Sequence, residues 1–134
     1  MVSLFRSLES SASALTAERF RMDIISNNIA NVNTTRTPEG GPFQRHLAVY
    51  STKYDRGKPA GVQVVGVIKD QTPSKLVYNP GHPDADPRGY VAMPNVDVVS
   101  EMVDMISAAR AYEANVTVIN EAKRMMLKAL EIGR

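Results

Sequence analysis

The feature that most constrains this chain is where its helix breakers fall. All of its 8 prolines, and every glycine but Gly133, lie between residues 34 and 96. The segments on either side are free to run as long unbroken helices, and the segment between them is not. Three zones follow: residues 1–33, 34–96 and 97–134.

Within the first zone, Leu8, Leu15, Met22 and Ile29 recur at seven-residue intervals. Leu4, Ile25 and Val32 lie on the neighbouring line, which Ser11 and Glu18 interrupt. This pattern predicts one amphipathic helix over residues 3–33, roughly 45 Å long at about 1.5 Å per residue. Its end is weak, because Asn27, Asn28, Asn31 and Asn33 are poor helix formers and Thr34 and Thr35 follow. In the third zone, Met102, Ala109, Val116 and Leu130 share one heptad line, and Met105, Tyr112, Ile119 and Met126 share a second. Asn95 or Asp97 is placed to cap this helix and Gly133 to stop it. Acids crowd its start and bases its end, which complements the helix dipole.

The middle zone reads as a small β-rich module. Its β-forming runs are Leu47–Ser51, Gly61–Ile68, Lys75–Tyr78 and Gly89–Met93, with turns or loops at Pro38–Pro42 and Asp55–Pro59. The fold class is therefore mainly α with a small β insert. The two helices are expected to pair as an antiparallel coiled coil forming one domain, with the insert at the end away from the chain termini. Val99, Val103 and Ile106 make the second helix apolar beyond a single seam. Either the β module of the same chain covers this surplus, or helices of other subunits do.

Chemistry has little support. With no cysteine, disulfides and thiolate zinc sites are excluded. His82, Asp84 and Asp86 alternate as metal ligands on a strand could, but Pro80, Pro83 and Pro87 punctuate the run and favour a loop. His46 stands alone beside a strand. No nucleophile elbow, phosphate loop or dinucleotide fingerprint is present, so no catalytic residue, cofactor or metal is expected. The serines at Ser7, Ser10, Ser11 and Ser13 read as merely small and polar. The net charge of +2 concentrates around Lys53, Arg56 and Lys58 without interleaved aromatics, which does not suit nucleic acid. No apolar run is long enough to span a membrane, and the start lacks the basic cap and apolar run of a cleaved signal peptide.

Two motifs carry a resemblance. Ala17-Glu-Arg-Phe-Arg-Met-Asp-Ile-Ile-Ser-Asn-Asn-Ile-Ala-Asn31 resembles the N-terminal signature of flagellar rod and hook proteins. Ser107-Ala-Ala-Arg-Ala-Tyr-Glu-Ala-Asn115 is similar to the matching C-terminal motif. Residues 75–86, 89–97 and 126–134 resemble the proximal rod members of that basal-body family. The resemblance implies a structural subunit of the flagellar basal body, exported unfolded by the flagellar type III apparatus without signal cleavage. It implies a place in the periplasmic rod and assembly with itself, with the rod proteins FlgB, FlgF and FlgG, and with the adaptor FliE. The residues expected to pack subunits together are Leu8, Leu15, Met22, Ile25, Asn27, Asn28, Ile29 and Asn31 on the first helix. On the second they are Met102, Met105, Tyr112, Val116, Ile119, Met126 and Leu130. The three asparagine amides either mark a fraying helix end or bond between subunits. Two other readings stay open on the residues alone: a cytosolic coiled-coil adaptor, and a metal-dependent enzyme using His82, Asp84 and Asp86.

Overall fold

A computed structural model describes residues 2–133; residues 1 and 134, the outer ends of the first and third zones, lie outside it. Helix α1 spans Val2–Ala30 and helix α2 spans Val98–Ile132. Between them lie strands β1 (His46–Asp55), β2 (Lys58–Lys69), β3 (Lys75–Tyr78) and β4 (Tyr90–Met93). The strands form two separate antiparallel pairs, β1 with β2 and β3 with β4.

Helix α1 ends at Ala30, short of the expected residue 33. The Asn31 amide turns back to the Asn27 carbonyl at 3.1 Å, and its side-chain Nδ2 donates to the same oxygen at 2.8 Å. Local side-chain bonding of this kind competes with the helix ladder and closes it. The chain then reverses through the Pro38–Pro42 segment, and Phe43 N–H donates to the Thr34 carbonyl at 3.0 Å.

The β1–β2 hairpin turns at Arg56 and Gly57, both with positive φ (48° and 78°), as a two-residue hairpin turn requires. A register shift between Val49 and Tyr50 leaves Val65 unpaired as a bulge. This hairpin does not sit at the far end of the helix pair, as the sequence reading expected. It folds back along α1 toward the chain termini. Its base at His46 meets Asn28, while Lys53 near its tip reaches Glu9 at 3.6 Å. The serines of α1 make this possible. Ser13 Oγ accepts the Val62 amide at 3.0 Å, and a Cβ on Gly61 would lie 2.2 Å from that oxygen. Small polar side chains thus let strand and helix approach closely, a role the sequence reading had not given them.

Helix α2 starts at Asp97, whose carboxylate accepts the amides of Val99 (3.0 Å) and Ser100 (3.4 Å). Asn95, the other candidate cap, has a different task described below. Gly133 closes α2 with its amide on the Ala129 carbonyl, at an ordinary φ of −78°. The helices run antiparallel: Ser3, Leu4 and Ser7 line one groove with Met125 and Ala129, while Asn28 meets Glu101 at the other end. The buried line of α2 is Glu101, Ala108 and Ala122, not the expected line through Met102 and Leu130, which are 53% and 64% exposed. Small residues allow close helix approach, and the bulky line is left pointing away. The bulkiest fully buried side chains are Glu101, Val91, Val96, Asn28 and Pro94, so the tight core lies where α1 ends and α2 begins.

Candidate assembly interface

Arg45 anchors the tight end of the molecule. It precedes β1, and its guanidinium Nε pairs with Glu101, which is 1% exposed. Its Nη1 reaches Asp70 at 3.3 Å and its Nη2 reaches Asp104 at 3.5 Å. One cation therefore ties the hairpin base, the segment after β2 and the first turns of α2 together. Burial works to lower the Arg45 pKa, but the hydrogen bond and charge of Glu101, followed by those of Asp70, outweigh it and hold the group above its ordinary value.

Asn28 completes the arrangement from α1. Its Oδ1 accepts the His46 amide at 2.9 Å, and its Nδ2 donates to the His46 carbonyl at 3.0 Å. A side-chain amide presents the same acceptor and donor as a peptide, so Asn28 acts as one rung of an antiparallel ladder at the start of β1. The same Nδ2 lies 3.4 Å from Glu101. Asn95 works in parallel: its Oδ1 accepts the Arg45 amide at 2.7 Å, and its Nδ2 donates to the carbonyls of Asp70 (3.0 Å) and Thr72 (2.9 Å). Asp70 is held below its ordinary pKa first by the Thr72 hydroxyl, then by the Thr72 amide, with Arg45 adding to them. No buried side-chain nitrogen or oxygen is left without a partner among the described residues.

Within the chain, two amides of the asparagine cluster find partners. Both ends of the Asn28 amide are engaged inside the chain. Asn31 bonds to the Asn27 carbonyl and side chain and accepts from Thr34 Oγ1 at 3.1 Å. Asn27 itself is exposed. Of the other singled-out positions, Ile25 is buried, while Leu8, Leu15, Met22 and Ile29 on α1 are half-buried. So are Met105, Tyr112, Val116, Ile119 and Met126 on α2, which flank its small-residue line.

The candidate metal ligands do separate work. His82 Nδ1 accepts the Asp84 amide at 3.0 Å. Asp84 accepts Thr35 Oγ1 at 2.6 Å and pairs with Arg36, and Asp86 accepts the amides of Arg88 and Tyr90 at 2.9 Å. The Thr35 hydroxyl, then Arg36, keep Asp84 below its ordinary pKa. These bonds fasten the 79–89 loop to the linker after α1. Among the described residues, no group of three such side chains is arranged to hold a metal. His46 stacks on Phe43 with ring centroids 4.8 Å apart.

What remains open is apolar surface. Val99, Met102, Val103 and Ile106 are 53–71% exposed and line the side of α2 turned away from α1. Leu127, Leu130 and Ile132 extend exposure to its end. The described helices hold no span long and apolar enough to cross a membrane. Sequence reasoning found this surplus but missed the Arg45–Glu101–Asn28 knot. The available signal was an acid and small residues at seven-residue spacing: Glu101, Ala108, Asn115, Ala122.

Comparison with known proteins agrees with this layout. The family model "Flagella basal body rod protein" matches residues 8–36, and "Flagellar basal body rod FlgEFG protein C-terminal" matches residues 88–132. The flagellar basal-body rod protein FlgC of Borreliella burgdorferi is 48% identical over 96% of this chain and 97% of its own length. That of Escherichia coli O157:H7 is 45% identical over 99% and 100%, and that of Bacillus subtilis 44% over 97% and 98%. With two flanking helices in place and near-complete coverage at such identity, the chain belongs to the FlgC family of flagellar basal-body rod proteins.

Proposed function

We propose that this chain is a structural subunit of the proximal rod, and that it completes its fold by packing against other axial subunits. The observation that carries this reading is an excess of surface. The chain exposes 9211 Å² at a mass of 14.7 kDa. A compact monomer of that mass exposes about 6900 Å². The surplus of about 2300 Å² is comparable to the area buried in a large protein interface.

The reading has a mechanical side. Two antiparallel helices of 29 and 35 residues, pinned at one end by the Arg45 knot, form a stiff lever along a shaft. Interlocked helices resist shear because close-packed interiors hardly compress. Coiled-coil packing, the two helices acting as one domain, and export by the flagellar type III apparatus belong to this proposal. So do placement in the periplasm, contacts with FlgB, FlgF, FlgG and FliE, and the absence of catalysis. Leu8, Leu15, Met22 and Ile29 on α1, and Met102, Met105 and Leu130 on α2, are the side chains it assigns to subunit packing.

Mass spectrometry of purified basal bodies from the source bacterium tests it. Stoichiometric amounts of the chain, intact at its N-terminus, are expected. Its absence beside other rod proteins would overturn the proposal.

A further inference from the structure

The chain has two histidines, and they use Nδ1 in opposite senses. His46 Nδ1 lies 2.8 Å from the Gln44 carbonyl, which can only accept, so this nitrogen carries a proton and Nε2 holds the lone pair. Charging the His46 ring adds a proton at Nε2 and breaks no bond at Nδ1. His82 Nδ1 lies 3.0 Å from the Asp84 amide, which can only donate, so here Nδ1 must keep its lone pair. The proton of the neutral His82 ring is therefore on Nε2. A second proton has only Nδ1 to go to, where it removes the acceptor and sets two donors face to face.

That bond lies at the centre of a clasp. The 79–89 loop turns around His82, whose amide donates to the Asn79 carbonyl and whose carbonyl accepts the Ala85 amide, both at 3.1 Å. Asp84, positioned through its amide by the His82 ring, accepts the Thr35 hydroxyl at 2.6 Å and pairs with Arg36. These contacts join the loop before β4 to the linker after α1, separately from the Arg45 knot. The charged side chains of the clasp are Asp84, Asp86 and Arg88 on the loop and Arg36 on the linker. Asp86 already accepts the amides of Arg88 and Tyr90, and Arg36 lies on Asp84. The Asp84 carboxylate is thus the anion open to a charged His82 ring. The Thr35 hydroxyl, then Arg36, hold Asp84 below its ordinary value of 3.8, so it stays ionised in mild acid.

We propose that His82 is an acid-operated release for this clasp: a proton on Nδ1 frees the Asp84 amide and turns the ring toward the Asp84 carboxylate, which then lets go of Thr35 and Arg36. The closed clasp has no place for that proton and the open one has, so falling pH favours the open form. Histidine is the side chain suited to this, since imidazole changes charge between about pH 5 and 8. The Arg45 knot uses no ring nitrogen, so the release is local to the loop.

Nuclear magnetic resonance of the full chain between about pH 7.5 and about pH 5 tests the proposal. Exchange of the Asp84 amide, corrected for the intrinsic effect of pH, should rise roughly 5–10-fold on acidification, the factor that one ordinary hydrogen bond supplies. The Arg36 Nε–H signal should move toward that of a solvated guanidinium over the same range. The His46 amide, held by Asn28, should keep its protection. His82→Asn offers the Asp84 amide an oxygen that does not titrate, in an Asx turn ahead of Pro83, so both signals should then stay flat. A flat response in the parent chain, or the parent's response persisting in His82→Asn, would overturn the release. So would loss of protection at the His46 amide in step with Asp84, since the acid effect would then be general loosening. All three readings are made on the isolated chain, so failure here leaves the rod reading intact.

Discussion

Asn27 and Asn28 are neighbours in one motif, and the structure gives them different tasks. Asn28→Ala removes the rung that holds the start of β1. The peptide N–H and C=O of His46 lose partners at 2.9 and 3.0 Å in a site where Asn28 is 1% exposed. Each good bond contributes about 1 kcal/mol, and a buried group left unpaired costs about 1–3 kcal/mol. Alanine returns roughly 0.5 kcal/mol through its better helix propensity. The contact with Glu101 at 3.4 Å is long and contributes little. A net loss of about 2–3 kcal/mol follows. With a urea slope of about 1–3 kcal/mol per molar, the midpoint should fall by roughly 1–2 M. Asn27→Ala gives up only an exposed acceptor for Asn31 Nδ2 at 3.1 Å, which the propensity gain offsets, so its stability should stay within about 0.5 kcal/mol of the parent. The assay is urea unfolding of the full chain followed by helical circular dichroism. Equal midpoints for the two variants, or a larger loss at Asn27, would refute the ladder-rung argument.

Other perturbations separate interior from exterior. Gly61→Ala places a Cβ 2.2 Å from Ser13 Oγ at a φ of 135°, so a loss of about 2–3 kcal/mol is expected in thermal melts. Combining it with Ser13→Gly should recover part of that loss; no recovery would mean that the approach of hairpin to helix is not limiting. Met102→Asp changes an exposed residue, so unfolding should shift by less than about 0.5 kcal/mol while incorporation into basal bodies fails. Ile119→Asp, in the half-buried flank of the helix seam, should lower stability itself by about 2–4 kcal/mol. Asp70 has its pKa depressed by folding, so its contribution is complete above its ordinary value of 3.8 and is lost as pH falls through the lower folded value. Asp70→Asn should therefore reduce stability at neutral pH and flatten the acid limb of a stability–pH curve; an unchanged limb would discount the Thr72 and Arg45 contacts.

The sequence by itself determined the element order. Helix breakers confined to one zone, heptads on both flanks and β-branched runs between turns are local signals, and local conformational preference is enough to read them. All four strand positions were legible, as were a cap at Asn95 or Asp97 and the surplus apolar face through Val103 and Ile106; the structure gave the cap to Asp97. Only the tertiary structure decided which helix line faces inward. Met102 and Leu130 belong to a good apolar line, yet Glu101, Ala108 and Ala122 hold the interior, because small residues let the helices approach and Glu101 finds Arg45 there. That pairing joins residues 56 apart in the chain, and the Asn28–Glu101 contact joins residues 73 apart. The direction of the hairpin was likewise invisible, since it depends on Ser13 meeting the Val62 amide across 49 residues. A periodic pattern states that a face is apolar; which surface covers it, and which polar groups can be buried because their partners arrive, is fixed only when distant segments meet.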